Sequence, residues 1–290
     1  MPCLAPPTVS RRRMVRTALL GVGLLAPMAV VACSDSTDKG PDPGFMAGLG
    51  VEDLYNRGVD ALNAGRYKSA EKLFDKVAEN FPYSAWAANA LLMAGYSQYL
   101  EGSYADAVTT LERFTQLHPT SKSIAYAYYL RALCYYEQMS DIDRDQKNTA
   151  LALNALKEVV NRFPDSAYAR DARLKIDLCS DHLAAAEMAI GRWYESRHLY
   201  AAAINRFQRV VDDYQTTNHV PEALYRLTEI YLALGMTAEA KRTAAVLAYN
   251  YPGSSWYRHS FDRLVADGDV KPPAAAQQGG FLSRSFDWLF

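Results

Sequence analysis

FPDSAYA, from Phe163 to Ala169, is written twice more with small changes: FPYSAWA from Phe81 to Ala87 and YPGSSWY from Tyr251 to Tyr257. Each reads aromatic, Pro, any residue, Ser, small, aromatic. A residue before Pro is pushed out of the helical region, so a helix ends there. The hydroxyl two residues beyond the Pro is suited to cap the next helix, because its oxygen satisfies orphan amides of the first turn. The phrase therefore predicts a stop and a restart between two helices. The hydroxyl stands at Ser84, Ser121, Ser166, Thr217 and Ser254, and Pro precedes it everywhere except at Gln215.

Outward from the phrase lies a repeat. Gly58, Gly65, Tyr67, Ala70 and Pro82 recur 37 residues later as Gly95, Gly102, Tyr104, Ala107 and Pro119. The Ala continues as Ala152, Ala203 and Ala240 at steps of 45, 51 and 37. A bulky apolar residue follows four positions on at Phe74, Leu111, Leu156 and Phe207, with Ala244 the weak member. A small residue lets two antiparallel helices approach, and the bulky one fills the same face a turn later. The pattern resembles the tetratricopeptide repeat, whose period is about 34. The 8 extra residues of the third unit fall near Ser140 to Lys147, a polar loop. The 14 extra of the fourth fall in Ala167 to Ile190, which has no Gly or Pro, and predict a helix longer by about four turns. The expected fold is all-α: a tetratricopeptide-like superhelix of five helix-turn-helix repeats, with a long helix between repeats three and four and an offset there.

The array is assigned to 51–265, with repeats one to three in 51–165 and four and five in 166–265. Before it, Arg11 to Arg16 and the apolar Thr17 to Ala32 form a signal peptide over 1–32, too short and too interrupted for a membrane span. Val30, Ala32 and Cys33 resemble the lipobox of bacterial lipoproteins, which implies acylation of Cys33, and Ser34 implies outer-membrane sorting. Residues 33–50 are a Gly- and Pro-rich tether. Without the four N-terminal Arg the balance is 27 basic to 32 acidic residues, a charge of −5, so no basic field remains for nucleic acid.

No Gly-rich loop follows a strand, and the five His lie apart without metal-ligand spacing. Neither a cofactor nor a metal is expected, and the chain reads as a binding array, not an enzyme. Cys134 and Cys179 sit in apolar helical surroundings and read as buried thiols, with a disulfide left open because an exported chain meets an oxidising compartment.

A lipobox before five such repeats resembles the BamD family, lipoproteins of the outer-membrane β-barrel assembly machine. The resemblance covers about Val51 to Tyr257. It is most specific in YYEQMSDIDRDQKNTALALNALKEVVNRFPDSAYARDARLKIDL, AINRFQRVVDDYQTT and EALYRLTEIYLALGMTAEA. It implies an outer-membrane, periplasmic, lipid-anchored scaffold that binds BamA alongside other assembly subunits and selects unfolded outer-membrane proteins by their C-terminal segments. The family's Asn-Arg pair, whose Arg contacts BamA, corresponds to Asn205 and Arg206, and register predicts Arg206 exposed. The alternative is a periplasmic repeat scaffold coordinating cell-wall synthesis with envelope constriction, which would usually carry a coiled coil before its repeats.

In tetratricopeptide arrays the first helix of each unit lines the groove. Register then puts Tyr55, Tyr96, Tyr99, Tyr126, Tyr129 and Tyr136 in one row, an apolar platform with polar tips suited to a wet binding surface. After a linker at 266–280, residues 281–290 place Phe281, Leu282, Phe286, Leu289 and Phe290 on one helical face. This segment is expected to dock on a partner of the complex, with docking on its own array, on the membrane surface or in the groove as a substrate mimic as alternatives.

Overall fold

The computed structural model describes residues 50–268. Lipidation at Cys33 and docking by Phe281, Phe286, Leu289 and Phe290 fall outside them. Among the described residues there are eleven helices and no strand. α1 (Val51–Asn63) pairs with α2 (Tyr67–Asn80), α3 (Ala87–Glu101) with α4 (Tyr104–Leu117), and α5 (Ile124–Tyr136) with α6 (Lys147–Arg162). α7 (Ala167–Glu195) pairs with α8 (Tyr200–Asp213), α9 (Val220–Ala233) with α10 (Thr237–Asn250), and α11 (Ser255–Ala266) closes the array on α9.

Each pair is held by one small residue facing one large one. Ala70, Ala107, Ala152, Ala203 and Ala240 are fully buried on the second helices, as are Phe74, Leu111, Leu156 and Phe207. A Cβ added to Gly58 would lie 2.7 Å from the Phe74 ring, one added to Gly95 3.0 Å from Leu111, and one added to Gly191 2.4 Å from Phe207. At the same place stand Ala132 in the third repeat, whose bulky residue is Leu156, and Thr228 in the fifth, whose bulky residue shrinks to Ala244. Volume lost on one helix is thus recovered on the other, as close packing requires.

The turns inside repeats follow the same economy. Gly65, Gly102 and Gly235 take left-handed φ of 72°, 84° and 73° just past a first helix. The next amide reaches back to close the end, Arg66 N to Ala61 O at 2.9 Å for instance. In the fourth repeat His198 takes that conformation (φ 58°) instead. The third repeat has the polar loop 137–146 in its place, as its spacing predicts.

The stop signal holds in all five units. Phe81, His118, Phe163, Tyr214 and Tyr251 all leave the helical region; Phe81 lies at φ −131°, ψ 52°. Tyr214 adopts the same conformation before Gln215 (φ −126°, ψ 43°), so this turn does not depend on Pro. The restart is narrower than expected. Ser166 and Ser254 cap α7 and α11 by accepting from Ala169 N and Trp256 N. Ser84 and Ser121 instead hold a preceding turn, and Thr217 donates to Tyr214 O. The cause is that α3, α5 and α9 begin three residues after the hydroxyl, one turn too late to be capped by it.

α7 has 29 residues against 12 to 16 in the other helices, so the inserted residues did extend a helix. It is not, however, a separate connector between repeats three and four: it is the first helix of the fourth repeat. Its N-terminal half packs Ala172, Cys179 and Leu183 into the core of the third repeat. Its C-terminal half puts Ala184 and Met188 into the core shared by repeats four and five.

Candidate functional site

The aromatic at the sixth position of the opening phrase has a structural partner. Trp86 packs on Tyr55 at 4.7 Å between ring centroids, Tyr168 on Tyr129 at 5.4 Å, and Trp256 on Tyr225 at 5.2 Å. Tyr55, Tyr129 and Tyr225 occupy one repeat position, three residues before Gly58, Ala132 and Thr228. Where that position is Leu92 or Met188, the following junction carries Ser123 or His219 in place of an aromatic ring. The three restarts that carry the phrase therefore also join neighbouring repeats through paired rings.

At the third junction these pairs merge into a ladder. Tyr96 on α3 meets Tyr126 on α5 at 6.4 Å; Tyr126 meets Tyr168 at 5.4 Å; Tyr168 stacks on Tyr129 with 26° between planes. Tyr99 adjoins Tyr104 at 5.8 Å and donates its hydroxyl to Glu137 at 3.4 Å. Tyr129 donates to Asp171, which also pairs with Lys175 at 3.4 Å, and the Lys175 ammonium lies 5.0 Å over the Tyr136 ring. Burial, then the Glu137 charge, pushes the Tyr99 hydroxyl up to about 12, and burial first of all pushes Tyr126 to about 12. Burial and the bond to Asp171 push Tyr129 further in the same direction. These hydroxyls stay protonated donors across physiological pH. The row thus gathers Tyr96, Tyr99, Tyr126, Tyr129 and Tyr136, with two differences from the expectation. Tyr55 stands apart, packed on Phe74 and Trp86. Tyr168 is an added member, and its signal was present in FPDSAYA itself.

Arg206 on α8 is half-buried (35% exposed side chain), not freely exposed, because Glu187 of α7 holds its Nη1 at 2.9 Å. The same carboxylate takes Arg209 Nη1 at 2.8 Å and is itself only 13% exposed. Arg209 Nε also lies 3.9 Å from Asp213, so the two guanidiniums are matched by two carboxylates, with Asn205 exposed beside them. On the neighbouring face, Arg226 of α9 lies among Glu222, Glu195 and Glu229, and Arg192 of α7 bonds Glu222 at 3.1 Å. These ion pairs tie α7 to α9.

Cys134 and Cys179 are both free and buried, and burial pushes their thiols up to about 12 and about 11. No helix among the described residues is long and apolar enough to cross a membrane.

An all-helical array of paired helices, with a row of tyrosines on its first helices and a guanidinium pair on α8, defines a tetratricopeptide-like repeat protein. The model of the family described as YfiO, outer membrane lipoprotein, matches residues 49–247, and the chain belongs to that family. It is 47% identical over 79% of its length to the outer membrane protein assembly factor BamD of Caulobacter vibrioides, covering 75% of that protein. It is 43% identical over 87% of its length to BamD of Rickettsia prowazekii, covering 98% of it. Among solved structures it is similar to the tetratricopeptide protein TTC0263 of Thermus thermophilus, at 20% identity and a TM-score of 0.35, over 75% of this chain and 98% of that one.

Proposed function

We propose that this chain is an outer membrane protein assembly factor: a lipid-anchored scaffold on the periplasmic face of the outer membrane. Its first three repeats, with the start of the fourth, bind C-terminal segments of unfolded outer-membrane proteins, and its fourth repeat binds BamA within the assembly machine. The relatives named BamD support the class. The observation that carries the binding role is the tyrosine ladder. Stacked rings give an apolar platform, and hydroxyls pinned by Glu137 and Asp171 keep the rings in place while presenting polar edges. An extended or partly helical segment rich in aromatic residues finds ring contacts there without a preformed partner fold. The test is a variant with Tyr96, Tyr99 and Tyr129 all changed to Ser. It should lose crosslinking to a peptide copied from the C-terminus of a barrel protein while its helical circular dichroism is retained. Full crosslinking by a folded variant would refute the assignment.

A further inference from the structure

α7 buries Ala172, Ile176, Cys179 and Leu183 against the third repeat, at helical spacings of four, three and four. Its opposite side carries Leu174, Leu178 and Asp181. Toward the C-terminus that side is covered: Asp181 meets His219, just before α9, at 3.6 Å, and Arg192 meets Glu222 of α9. Toward the N-terminus it is not. Leu174 and Leu178 are 63% and 57% exposed, one turn apart. The insertion explains this. In a repeat of regular length α9 would start beside the start of α7; the 14 added residues displace that start by about four turns, or roughly 21 Å. The two leucines are left where a neighbouring helix belongs.

We infer that this uncovered face of α7 is the docking site for the chain's own segment 281–290. Its sequence has the pattern a covering helix would need: Phe281, Leu282, Phe286 and Leu289 recur at helical spacing, and its two charged side chains are Arg284 and Asp287. The α7 face is ordered as Arg170, Leu174, Asp177 with Leu178, then Asp181. A segment running antiparallel to α7 with Arg284 level with Asp177 sets Asp287 level with Leu174, one turn from the Arg170 guanidinium and within its reach, with the apolar stripe over the leucines; a parallel one turns Arg284 toward Arg170 and Asp287 toward Asp177. The reach is sufficient. α11 packs on α9, whose start lies beside Asp181, so Leu178 lies about one helix length along and two helix diameters across from the end of α11, roughly 30 Å in a straight line. Residues 269–280 can span about 40 Å. Covering the face in cis leaves the guanidinium pair at Arg206 and Arg209 on α8 free for another partner.

Photocrosslinking of the intact chain tests this. With p-benzoyl-phenylalanine in place of Leu178, irradiation should link position 178 to 281–290 of the same molecule, and the link should be lost when the probe replaces the fully exposed Tyr83. Exchanging the tail charges (Arg284→Asp with Asp287→Arg) should abolish the link, and adding Arg170→Asp with Asp177→Arg should restore it. A link unaffected by the exchange overturns the antiparallel pairing. Links that join two chains, or reach only other proteins of the assembly complex or lipid, overturn docking in cis, as does the absence of any link to the tail.

Discussion

Gly191 faces the ring of Phe207, and the space there is already full. A methyl at Gly191 would sit 2.4 Å from a fully buried ring that has no flexible end to move aside. Gly→Ala within a helix would ordinarily stabilise by up to about 1 kcal/mol, but overpacking costs about 1–3 kcal/mol. Gly191→Ala should therefore lower stability in urea unfolding by about 1 kcal/mol or more. Adding Phe207→Leu should recover part of the loss, seen as a coupling energy in a double-mutant cycle. Asp75 on α2 is a second strained residue. Burial first, then the charge of Glu71 and to a lesser degree Glu79, pushes its carboxyl from 3.8 up to about 6, against the opposing charge of Arg113. An acid whose pKa rises on folding is stabilising in its protonated form. That contribution is complete below pH 3.8 and is lost as pH rises through about 6. Asp75→Asn should thus melt above the parent at pH 8 by about 2–4 °C, taking the effect as about 1 kcal/mol after solvent screening. The gain should vanish by pH 4; an equal gain at both pH values would assign it to something other than ionisation.

α7 and α8 show how much of an element is legible in sequence. The length of α7 was readable because 14 residues without Gly or Pro can only lengthen a helix; its double duty was not, because register does not say which neighbours an inserted stretch will meet. Ala203 and Phe207 were placed by the repeat, but the burial of Arg206 was not, since Glu187 lies on another helix 19 residues earlier and no local spacing links them. The place of Tyr168 is hidden for the same reason: FPDSAYA marks its ring as the start of a buried helix face, but not that it stacks on Tyr129 across the junction. The Arg206–Glu187 pair also bears on the test of the proposed BamA contact. Arg206→Glu sets two carboxylates against each other and should cost about 1 kcal/mol of stability, so lost binding alone would be ambiguous. Glu187→Gln disturbs the same pair but keeps the guanidinium. BamA pull-down should fall with Arg206→Glu and persist with Glu187→Gln at matched stability. Equal losses would show that the effect runs through the fold.

At the scale of the whole molecule, the core is segmented rather than continuous. Four clusters follow one another along the array, and the last boundary runs through α7, with Leu183 in the third-repeat cluster and Ala184 in the next. Tyr214 is the bridging side chain, packed against both. In a stacked array each repeat is stabilised by its own core and its nearest neighbours, so a defect is felt over a limited range. The aromatic pairs Tyr55–Trp86 and Tyr129–Tyr168 strengthen coupling at their junctions, whereas the passage through α7 relies on a continuous backbone and one ring. Phe207→Ala removes the largest fully buried side chain of the fourth repeat at a cost of roughly 3–5 kcal/mol. If the array behaves as two cooperative halves, native-state hydrogen exchange of this variant should accelerate about a hundredfold or more across α8, α9 and α10. Protection in α1 to α4 should stay at the parent level, and the gradient between the two should fall within α7. Uniform acceleration from α1 to α11 would mean instead that α7 transmits stability as one rigid unit, so that the tyrosine ladder and the Arg206 site share a single folding equilibrium.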